Sequence, residues 1–259
     1  MIPPTAERAL ALIGYPVQAA RVLRDFGLIS LGVPDAPMAE VLRSCEVLGF
    51  AGALVHPAAQ HKIAEHLQLD PDARRANQAD AVTFAGGPHG TYAAPEAILG
   101  AVQDSRYAAR GANAVLIGLS GDLRLGLGLG RLGLRNITVV AETRPEAERV
   151  ARDLPAGLAA FALTHNDAAL RGLAERADLL ILTGGNLPPG LAQPYHTVLD
   201  LTPTPSRDTE KAGATLLTLP DLPARILSRQ IEHATGQRFR PERLTDVVKR
   251  LADTEQQRR

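Results

Sequence analysis

The sequence of 259 residues contains no tryptophan, and only 3% of its residues are aromatic. Single-stranded nucleic acids are bound largely by stacking their bases on aromatic rings, so this shortage argues against such a partner. The 28 lysines and arginines are balanced by 28 aspartates and glutamates, which leaves no formal net charge. Without a net positive field, the chain has no general attraction for nucleic acid or anionic membranes. We therefore predict neither partner.

The sequence contains a single cysteine, Cys45. A single cysteine excludes internal disulfides and cysteine-based zinc sites. Cys45 lies in a helical pattern of apolar residues, which predicts a small buried side chain. The three histidines His56, His61 and His66 recur at every fifth residue, so they do not share one face of a helix. The sequence therefore predicts no metal site.

Long apolar runs are also missing, and no stretch reaches the length needed to cross a membrane. The first residues lack the basic, apolar and small-residue order of a secretory leader. Hydrophobic residues make up 45% of the chain, which is enough to build one large domain or two ordinary ones. These features favour a cytoplasmic globular protein.

The most informative stretch is a βαβ pattern in the middle of the chain. An apolar run at 114–117 meets Gly118 and Gly121, and a second β-branched run follows at 137–141. This order predicts a strand, a tight turn, a helix and a second strand. Backbone N–H groups at such a turn suit a phosphate. Ser120 replaces the middle glycine of the dinucleotide fingerprint, so a purely structural turn is the alternative interpretation.

The segment between these two strands alternates leucine with glycine at 125–130. Each glycine disfavours a helix by about 1 kcal/mol relative to alanine. A crossover between parallel strands nevertheless needs a long connection, for which a helix is the usual solution. We predict a helix here, with Leu123, Leu127 and Leu134 facing the sheet.

Short apolar runs and amphipathic segments alternate along the rest of the chain, which predicts an α/β fold. The predicted strands are 9–13, 29–33, 51–55, 79–84, 159–163, 178–185, one that ends within 198–203, and 216–219. The predicted helices are 19–26, 38–48, a short one within 68–77, 95–102, 145–154, 167–176 and 242–254. Residues 86–90 are predicted to form a hairpin-like turn, and residues 255–259 a frayed tail.

Several short motifs occur in an order that resembles the shikimate dehydrogenases. They are Gly14-Tyr-Pro-Val17, Phe26-Gly-Leu28, Leu48-Gly-Phe-Ala-Gly52, Gly118-Leu-Ser-Gly-Asp-Leu-Arg124, Val198-Leu-Asp200, Ala212-Gly-Ala214, Ile226-Leu-Ser-Arg-Gln230 and Thr235-Gly236. The resemblance implies a substrate-binding domain at 1–103 plus about 225–259, and a Rossmann-type NAD(P)-binding domain at 104–224. It also implies a cleft between the domains that holds a small molecule.

The chain departs from the family where the substrate is held and oxidised. Two serines that grip the substrate carboxylate in the family are missing from Val17-Gln-Ala-Ala20. The family's catalytic lysine falls on residues 59–61, depending on the placement of a gap, and its partner aspartate falls on Ala94. Alanine can neither take nor tune a hydroxyl proton. An efficient shikimate dehydrogenase is therefore not expected.

Two substitutes for the lost pair are conceivable. Lys62 with Glu96 forms one lysine–carboxylate couple, and His56 or His61 with Asp80 forms a histidine–carboxylate couple. The alternative is that Lys62 and Glu96 are solvated helix residues and that His56 is satisfied by backbone groups. Gln230 matches a glutamine that contacts substrate in the family.

The resemblance also implies a cofactor site, formed by Gly118, Ser120, Gly121, Asp122, Glu142, Thr143, Thr183 and Gly184. NADP-dependent members carry an arginine that binds the ribose 2′-phosphate, whereas Glu142 stands at that position here and Thr143 is retained. A carboxylate repels a 2′-phosphate but accepts a hydrogen bond from a free 2′-hydroxyl, which favours NAD over NADP. Two alternatives stay open. Arg144 could cover a phosphate, and Glu142 could merely begin a solvated helix.

Three functions stay open at this point. The first is a divergent shikimate dehydrogenase-like protein whose cleft takes NAD(P) and another small molecule. The second is an NAD(P)-dependent shikimate or quinate oxidoreductase whose catalytic pair has been misaligned. The third is a noncatalytic nucleotide-binding or regulatory module.

Overall fold

The computed structural model describes residues 8–202, 209 and 211–256, except for the side chain of Ser120. The chain forms two compact units. The first comprises Met1–Ala97 with Asp221–Arg259, and the second comprises Ile98–Pro220. Among the described residues, no helix is both long and apolar enough to cross a membrane.

The strands form two six-stranded sheets, one in each unit. The first unit contains β1 (Leu10–Ile13), β2 (Ser30–Val33), β3 (Gly52–Val55), β4 (Gln68–Leu69), β5 (Ala81–Thr83) and β6 (His89–Thr91). The second contains β7 (Asn113–Ile117), β8 (Asn136–Ala141), β9 (Ala159–Thr164), β10 (Leu179–Leu182), β11 (Thr197–Asp200) and β12 (Thr215–Leu216).

The described α-helices connect these strands and follow them. They are α1 (Val17–Asp25), α2 (Met38–Val47), α3 (Gln60–Ala64), α4 (Pro71–Ala76), α5 (Ala94–Asp104), α6 (Arg144–Asp153), α7 (Ala169–Ala174), α8 (Leu222–Thr235) and α9 (Pro241–Gln256). The two units divide within α5 and just before α8. The domain boundaries predicted from the resemblance, after residue 103 and near residue 225, lie within the same two helices.

The first sheet has the order β2-β1-β3-β5-β6-β4, and β5 is antiparallel to both β3 and β6. Side chains alternate between its two faces, as in any strand. Leu10 and Leu12 of β1 pack with α1, α8 and α9 on one face. Ala11 and Ile13 pack with α2 on the other face, where Cys45 is buried as expected. Both faces of this sheet are therefore covered.

Two strands of the first sheet were not expected. The sequence indicates a turn followed by a short helix at 68–77 and a turn at 86–90, but β4 and β6 pair with each other in these regions. They contain two and three residues, which is too short for the alternation that identifies a strand. Pairing with an existing sheet decides their conformation.

The second sheet is entirely parallel, with the order β12-β11-β10-β7-β8-β9. Numbered from its own first strand, this is the doubly wound order 3-2-1-4-5-6 of Rossmann-type domains. Its central strand β7 is buried along Ala114–Ile117, as expected for a parallel sheet covered on both faces. The predicted α/β fold with a Rossmann-type unit is confirmed.

The connection between β7 and β8 is a 3₁₀ helix at Ser120–Leu132, not an α-helix. A 3₁₀ helix has three residues per turn, so Leu123, Gly126 and Leu129 form its buried face. Leu123 and Leu134 are buried as predicted, but Leu127 is only half-buried, because the α-helical period used to place it does not apply. A Cβ atom at Gly126 would enter the space of the Leu116 side chain, so glycine permits this close packing.

The C-terminal helix α9 is longer than the sequence indicates, since it continues through Gln256. Glu255 was expected in a frayed tail, but its carboxylate pairs with His56 at 3.2 Å. A tertiary contact therefore extends the helix. The rest of the expected tail, residues 257–259, lies outside the described residues.

Candidate functional site

The carboxyl end of β7 lies against the carboxyl end of β10, at the point where the strand order of the second sheet reverses. The Thr183 N–H donates to the Ile117 carbonyl at 2.9 Å, and the Thr183 hydroxyl donates to the same oxygen at 3.2 Å. A Cβ atom at Gly118 would lie 3.0 Å from the Leu123 side chain and closer still to Thr183 Oγ1. Gly118 is therefore needed for the packing of the chain itself, whether or not a ligand binds.

Asp122 follows this turn and packs against the loop after β10. A Cβ atom at Gly184 would lie 3.1 Å from the Asp122 Cβ and closer still to its carboxylate. Burial raises the pKa of Asp122. Gly184, which has no side chain, thus makes room for an acidic side chain. Gly121 is half-buried in the same turn, and the side chain of Ser120 lies outside the described residues.

The neighbouring strands β8 and β9 bring a second set of polar groups to the same edge. Ala141 is paired with Thr164, so Glu142 and His165 are the next residues on adjacent strands. Glu142 is exposed. The Nε2 atom of His165 is buried and has no hydrogen-bond partner among the described residues. An acceptor and an unsatisfied ring nitrogen therefore follow the ends of two adjacent strands.

The residues that follow Glu142 begin α6. Thr143 is the exposed residue before this helix, and its side chain makes no capping hydrogen bond. Arg144 lies near Glu148 at 3.3 Å and Asp167 at 3.7 Å. Its guanidinium is therefore engaged with two carboxylates.

In the first unit, Asp80 is a buried carboxylate, only 1% exposed, immediately before β5. It accepts hydrogen bonds from the backbone N–H groups of Ala93 at 2.8 Å and Ala94 at 3.2 Å, where α5 begins. The side chain of Gln230, on α8, donates a further hydrogen bond. Burial raises the pKa of Asp80 to about 6, although these three hydrogen bonds lower it. Asp80 thus joins the sheet edge to two helices.

Tyr15, His56 and Glu255 lie together at the carboxyl ends of β1 and β3. The rings of Tyr15 and His56 meet edge to face, with centroids 5.4 Å apart. The Nδ1 atom of His56 accepts a hydrogen bond from the Ala58 N–H at 3.2 Å, so its ring proton is on Nε2 and points to Glu255. Burial raises the pKa of Tyr15, and the charges of Asp80 and Glu255 raise it further. Asp80 with Gln230, and His56 with Glu255, therefore belong to one polar region around Tyr15.

No protein-family model matches this sequence, and no curated protein matches it. Solved structures do. Shikimate 5-dehydrogenase from Listeria monocytogenes, in complex with shikimate and NAD, aligns with a TM-score of 0.75 and 16% identity over 95% of this chain and 96% of that one. Quinate dehydrogenase from Corynebacterium glutamicum, in complex with NAD, aligns with a TM-score of 0.74 and 14% identity over 93% of this chain and 98% of that one. The ligand-free 5-ketofructose reductase of a Gluconobacter strain aligns with a TM-score of 0.71 and 15% identity over 94% of this chain and 97% of that one.

The chain has a shikimate dehydrogenase-like fold. The likeness covers nearly the whole chain at low identity, so it shows the fold and a sequence that diverges from these structures. It says nothing about which side chains do chemistry here.

The structure places the predicted catalytic residues in different surroundings. Lys62 is exposed on α3, a helix that buries Ile63 and Ala64, and Glu96 is half-buried in the first turn of α5. Among the described residues, the side-chain hydrogen bond to Asp80 comes from Gln230 and not from Lys62. The structure therefore brings together Asp80 and Gln230 of the predicted site. The roles assigned to Lys62 and Glu96 stay predictions.

The alternative histidine bases are engaged in other contacts. Both ring nitrogens of His56 have partners, Ala58 and Glu255. His61 is exposed, and its Nδ1 lies 2.9 Å from the Asn77 carbonyl. A histidine can accept a proton only through an unprotonated nitrogen that reaches the substrate. In this arrangement His56 has no such nitrogen to offer.

Sequence reasoning missed Tyr15 and Glu255. Tyr15 is part of the Gly-Tyr-Pro turn, so its place beside the sheet edge could have been inferred from that motif. Glu255 carries no such signal, because it lies 199 residues after His56 near the end of a charged amphipathic helix. Its contribution depends on how α9 packs.

Stability should depend on pH through Asp80. Its pKa is 3.8 ordinarily and about 6 in the folded chain, so the folded state binds this proton more tightly than the unfolded state does. Its stabilising contribution is complete below about pH 4 and is lost as the pH rises through about 6, which amounts to about 3 kcal/mol. Urea unfolding at a series of pH values measures this loss.

Two variants isolate the contribution of Asp80. Asp80→Asn should remove most of the fall in unfolding free energy between pH 4 and 7, because no proton is then gained or lost at this position. Asp253→Asn, at an exposed position on α9, should keep the fall seen in the unmodified protein. Identical pH dependence in the unmodified protein and in Asp80→Asn would show that the assignment is wrong.

Proposed function

We propose that the second unit binds a nicotinamide adenine dinucleotide, with NAD preferred over NADP, and that the protein is a divergent oxidoreductase with little activity on shikimate. The observation that carries the proposal is the position of Glu142, exposed after the carboxyl end of β8 in a doubly wound sheet. In such sheets, an acidic residue at this strand end binds the ribose hydroxyls of NAD.

The residues present fit the adenosine end of this cofactor. The Glu142 carboxylate can accept hydrogen bonds from two ribose hydroxyls, and the buried Nε2 of His165 offers an unsatisfied nitrogen at the adjacent strand end. A 2′-phosphate would instead meet the charge of Glu142, while Arg144 is engaged by Glu148 and Asp167. When bound, the nicotinamide ring supplies hydride transfer.

The phosphate-binding turn fits less well, since Asp122, which follows it, places a carboxylate beside Gly184. A negative charge at this point weakens the attraction of the turn for a pyrophosphate. We therefore expect NAD to bind with moderate affinity. Fold neighbours support a nicotinamide cofactor, because the Listeria and Corynebacterium enzymes are both in complex with NAD.

A second candidate function is a binding module without catalysis. It is favoured by the contacts of the polar side chains in the first unit, where Asp80 and His56 are both committed to hydrogen bonds within the protein. Nucleotide binding without turnover of any cyclic polyol tested would support this second candidate over the first.

Titration calorimetry with NAD and NADP tests the cofactor proposal. The unmodified protein should bind NAD about a hundredfold more tightly than NADP, since the carboxylate of Glu142 gains hydrogen bonds with one and meets repulsion from the other. Glu142→Gln should reduce this ratio at least tenfold, because it removes the charge and keeps the size.

Glu146→Gln provides the matched control, because Glu146 lies on α6 close to Glu142 and carries the same charge. It should leave the ratio unchanged within about a factor of two. Equal affinity for the two dinucleotides, or a preference for NADP that Glu142→Gln does not alter, would contradict the proposal.

A further inference from the structure

The strand β9 is the longest of the four edge strands that the structure describes. The first sheet ends in β2 and β4, and the second ends in β12 and β9. Among the described residues, β2 has four residues, β4 and β12 have two each, and β9 has six. Edge strands are usually kept short, because their outward backbone groups can pair with another chain. The length of β9 therefore distinguishes its edge from the other three.

The edge of β9 also lacks the residues that normally protect an exposed strand. No aspartate, glutamate, lysine or arginine occurs between Asp153 and Asp167, and the six strand residues include neither proline nor glycine. Phe161, near the middle of the strand, is 47% exposed. An edge that is long, apolar and uncharged favours pairing with a further strand. We therefore expect this edge to be covered when the protein is in solution.

The two faces of β9 differ in what covers them. Phe161 alternates with Ala160 and Ala162, so its side chain shares a face with Leu163. Leu163 packs in a cluster with residues of α7, whereas Phe161 stays exposed on the same face. Ala160 and Ala162 are half-buried, and α6 packs against β9. The exposed ring therefore lies on one face of the edge, and α6 lies on the other.

The flank of α6 that faces the edge carries alternating charges. Arg144 lies 3.7 Å from Asp167, which follows β9, so this flank of the helix points to the β9 side. Glu148 and Arg152 follow Arg144 at intervals of four residues and continue the same flank. All three side chains belong to exposed residues. The order of charges along the flank is therefore positive, negative and positive.

We infer that two copies of the chain associate by pairing their β9 strands in antiparallel orientation, so that their second sheets form one continuous sheet. A two-fold axis perpendicular to the sheet keeps matching faces together. The two Phe161 rings then meet on one face, and the two α6 helices lie antiparallel on the other. With the helices displaced by one turn, Glu148 of each copy pairs with Arg152 of the other. This self-complementary charge pattern identifies a second copy as the partner.

Sedimentation velocity over a range of protein concentrations tests this pairing. The unmodified protein should sediment as a dimer of the 27.5 kDa chain. Phe161→Lys should weaken the dimer at least about thirtyfold, because it removes the aromatic contact and places two positive charges at the two-fold axis. Val47→Lys is the matched control, since Val47 is an apolar residue of the first unit that is 78% exposed. It should leave the dimer affinity within about a factor of two.

Charge reversal on α6 tests the identity of the partner. Glu148→Arg and Arg152→Glu should each weaken the dimer about tenfold, because each places like charges opposite each other at two symmetric contacts. A variant that carries both substitutions should regain most of the lost affinity, since opposite charges then meet again. A purely local effect of either substitution on α6 would not be reversed in this way. Circular dichroism should show that all variants are folded.

Three results would each overturn the inference. The first is a monomer at every concentration tested. The second is a dimer that Phe161→Lys does not weaken. If Leu31→Lys dissociates that dimer, the contact lies at the edge strand β2, where Leu31 is 46% exposed. The third is failure of the double charge reversal to restore association that both single reversals have weakened.

Discussion

With shikimate and either NAD or NADP, the protein is expected to reach a kcat/KM about a thousandfold below that of the Listeria shikimate 5-dehydrogenase assayed alongside. A side chain placed to transfer a proton contributes about 10² to 10⁴ in rate. Lys62 is exposed, and Asp80 accepts hydrogen bonds from Ala93, Ala94 and Gln230. We therefore expect neither residue to act as an efficient base toward a ring hydroxyl. Initial rates of NADH or NADPH formation measure the effect.

Quinate should be oxidised equally poorly, because it presents the same kind of ring hydroxyl and also a carboxylate. Lys62→Met provides the control. If Lys62 is merely a solvated residue, this substitution should leave any residual rate unchanged. Turnover within tenfold of the Listeria enzyme that is abolished by Lys62→Met would show that Lys62 is the catalytic base and that the low-activity prediction is wrong.

Gly52→Ala is expected to destabilise the first unit by about 3 kcal/mol, an effect at the upper end for adding one methyl group. A Cβ atom at this position in β3 would lie 2.7 Å from the Cα of Ala234 and closer still to the carbonyl oxygens of Ala234 and Val82. These are backbone atoms of α8 and β5, so the clash cannot be relieved by rotation of a side chain. The helix or the sheet must shift.

Gly32→Ala provides a matched control in the same sheet. Gly32 lies in the edge strand β2, and no atom lies within 4 Å of the position that its Cβ would take. The unfolding free energy of Gly32→Ala should stay within about 0.5 kcal/mol of that of the unmodified protein. Urea unfolding monitored by amide hydrogen exchange in β1 and β3 reports on the first unit separately. Equal stability of the two variants would show that α8 does not pack on β3 as described.

The strands and helices with a clear period could be predicted because their side chains face one buried layer. The parallel strands β7, β8 and β10 are continuous apolar runs, and their order in the chain already indicates a Rossmann-type unit. The link between β7 and β8 was predicted as helical, but its 3₁₀ geometry depends on how closely Gly126 approaches Leu116. Local sequence does not specify that distance.

The candidate site was only partly predictable for a similar reason. Asp80 and Gln230 could be named in advance because, by the resemblance, Gln230 matches a substrate-contacting glutamine and Asp80 falls near a substrate-contacting asparagine. Glu142 could be named because it directly follows a predicted strand. The hydrogen-bond partners of Asp80 and the unsatisfied oxygen of Glu255 could not be named in advance, since they depend on where α5, α8 and α9 meet the first sheet.

The sequence by itself determined the alternation of strands and helices and the parallel second sheet, because periodicity and residue identity are local properties. Only the tertiary structure decided that His56 Nε2 pairs with Glu255 and that Asp80 accepts hydrogen bonds from the start of α5 and from Gln230 of α8. Hydrogen bonds and burial depend on atoms that are distant in sequence, and packing alone brings those atoms within hydrogen-bonding distance, here 2.8 to 3.2 Å.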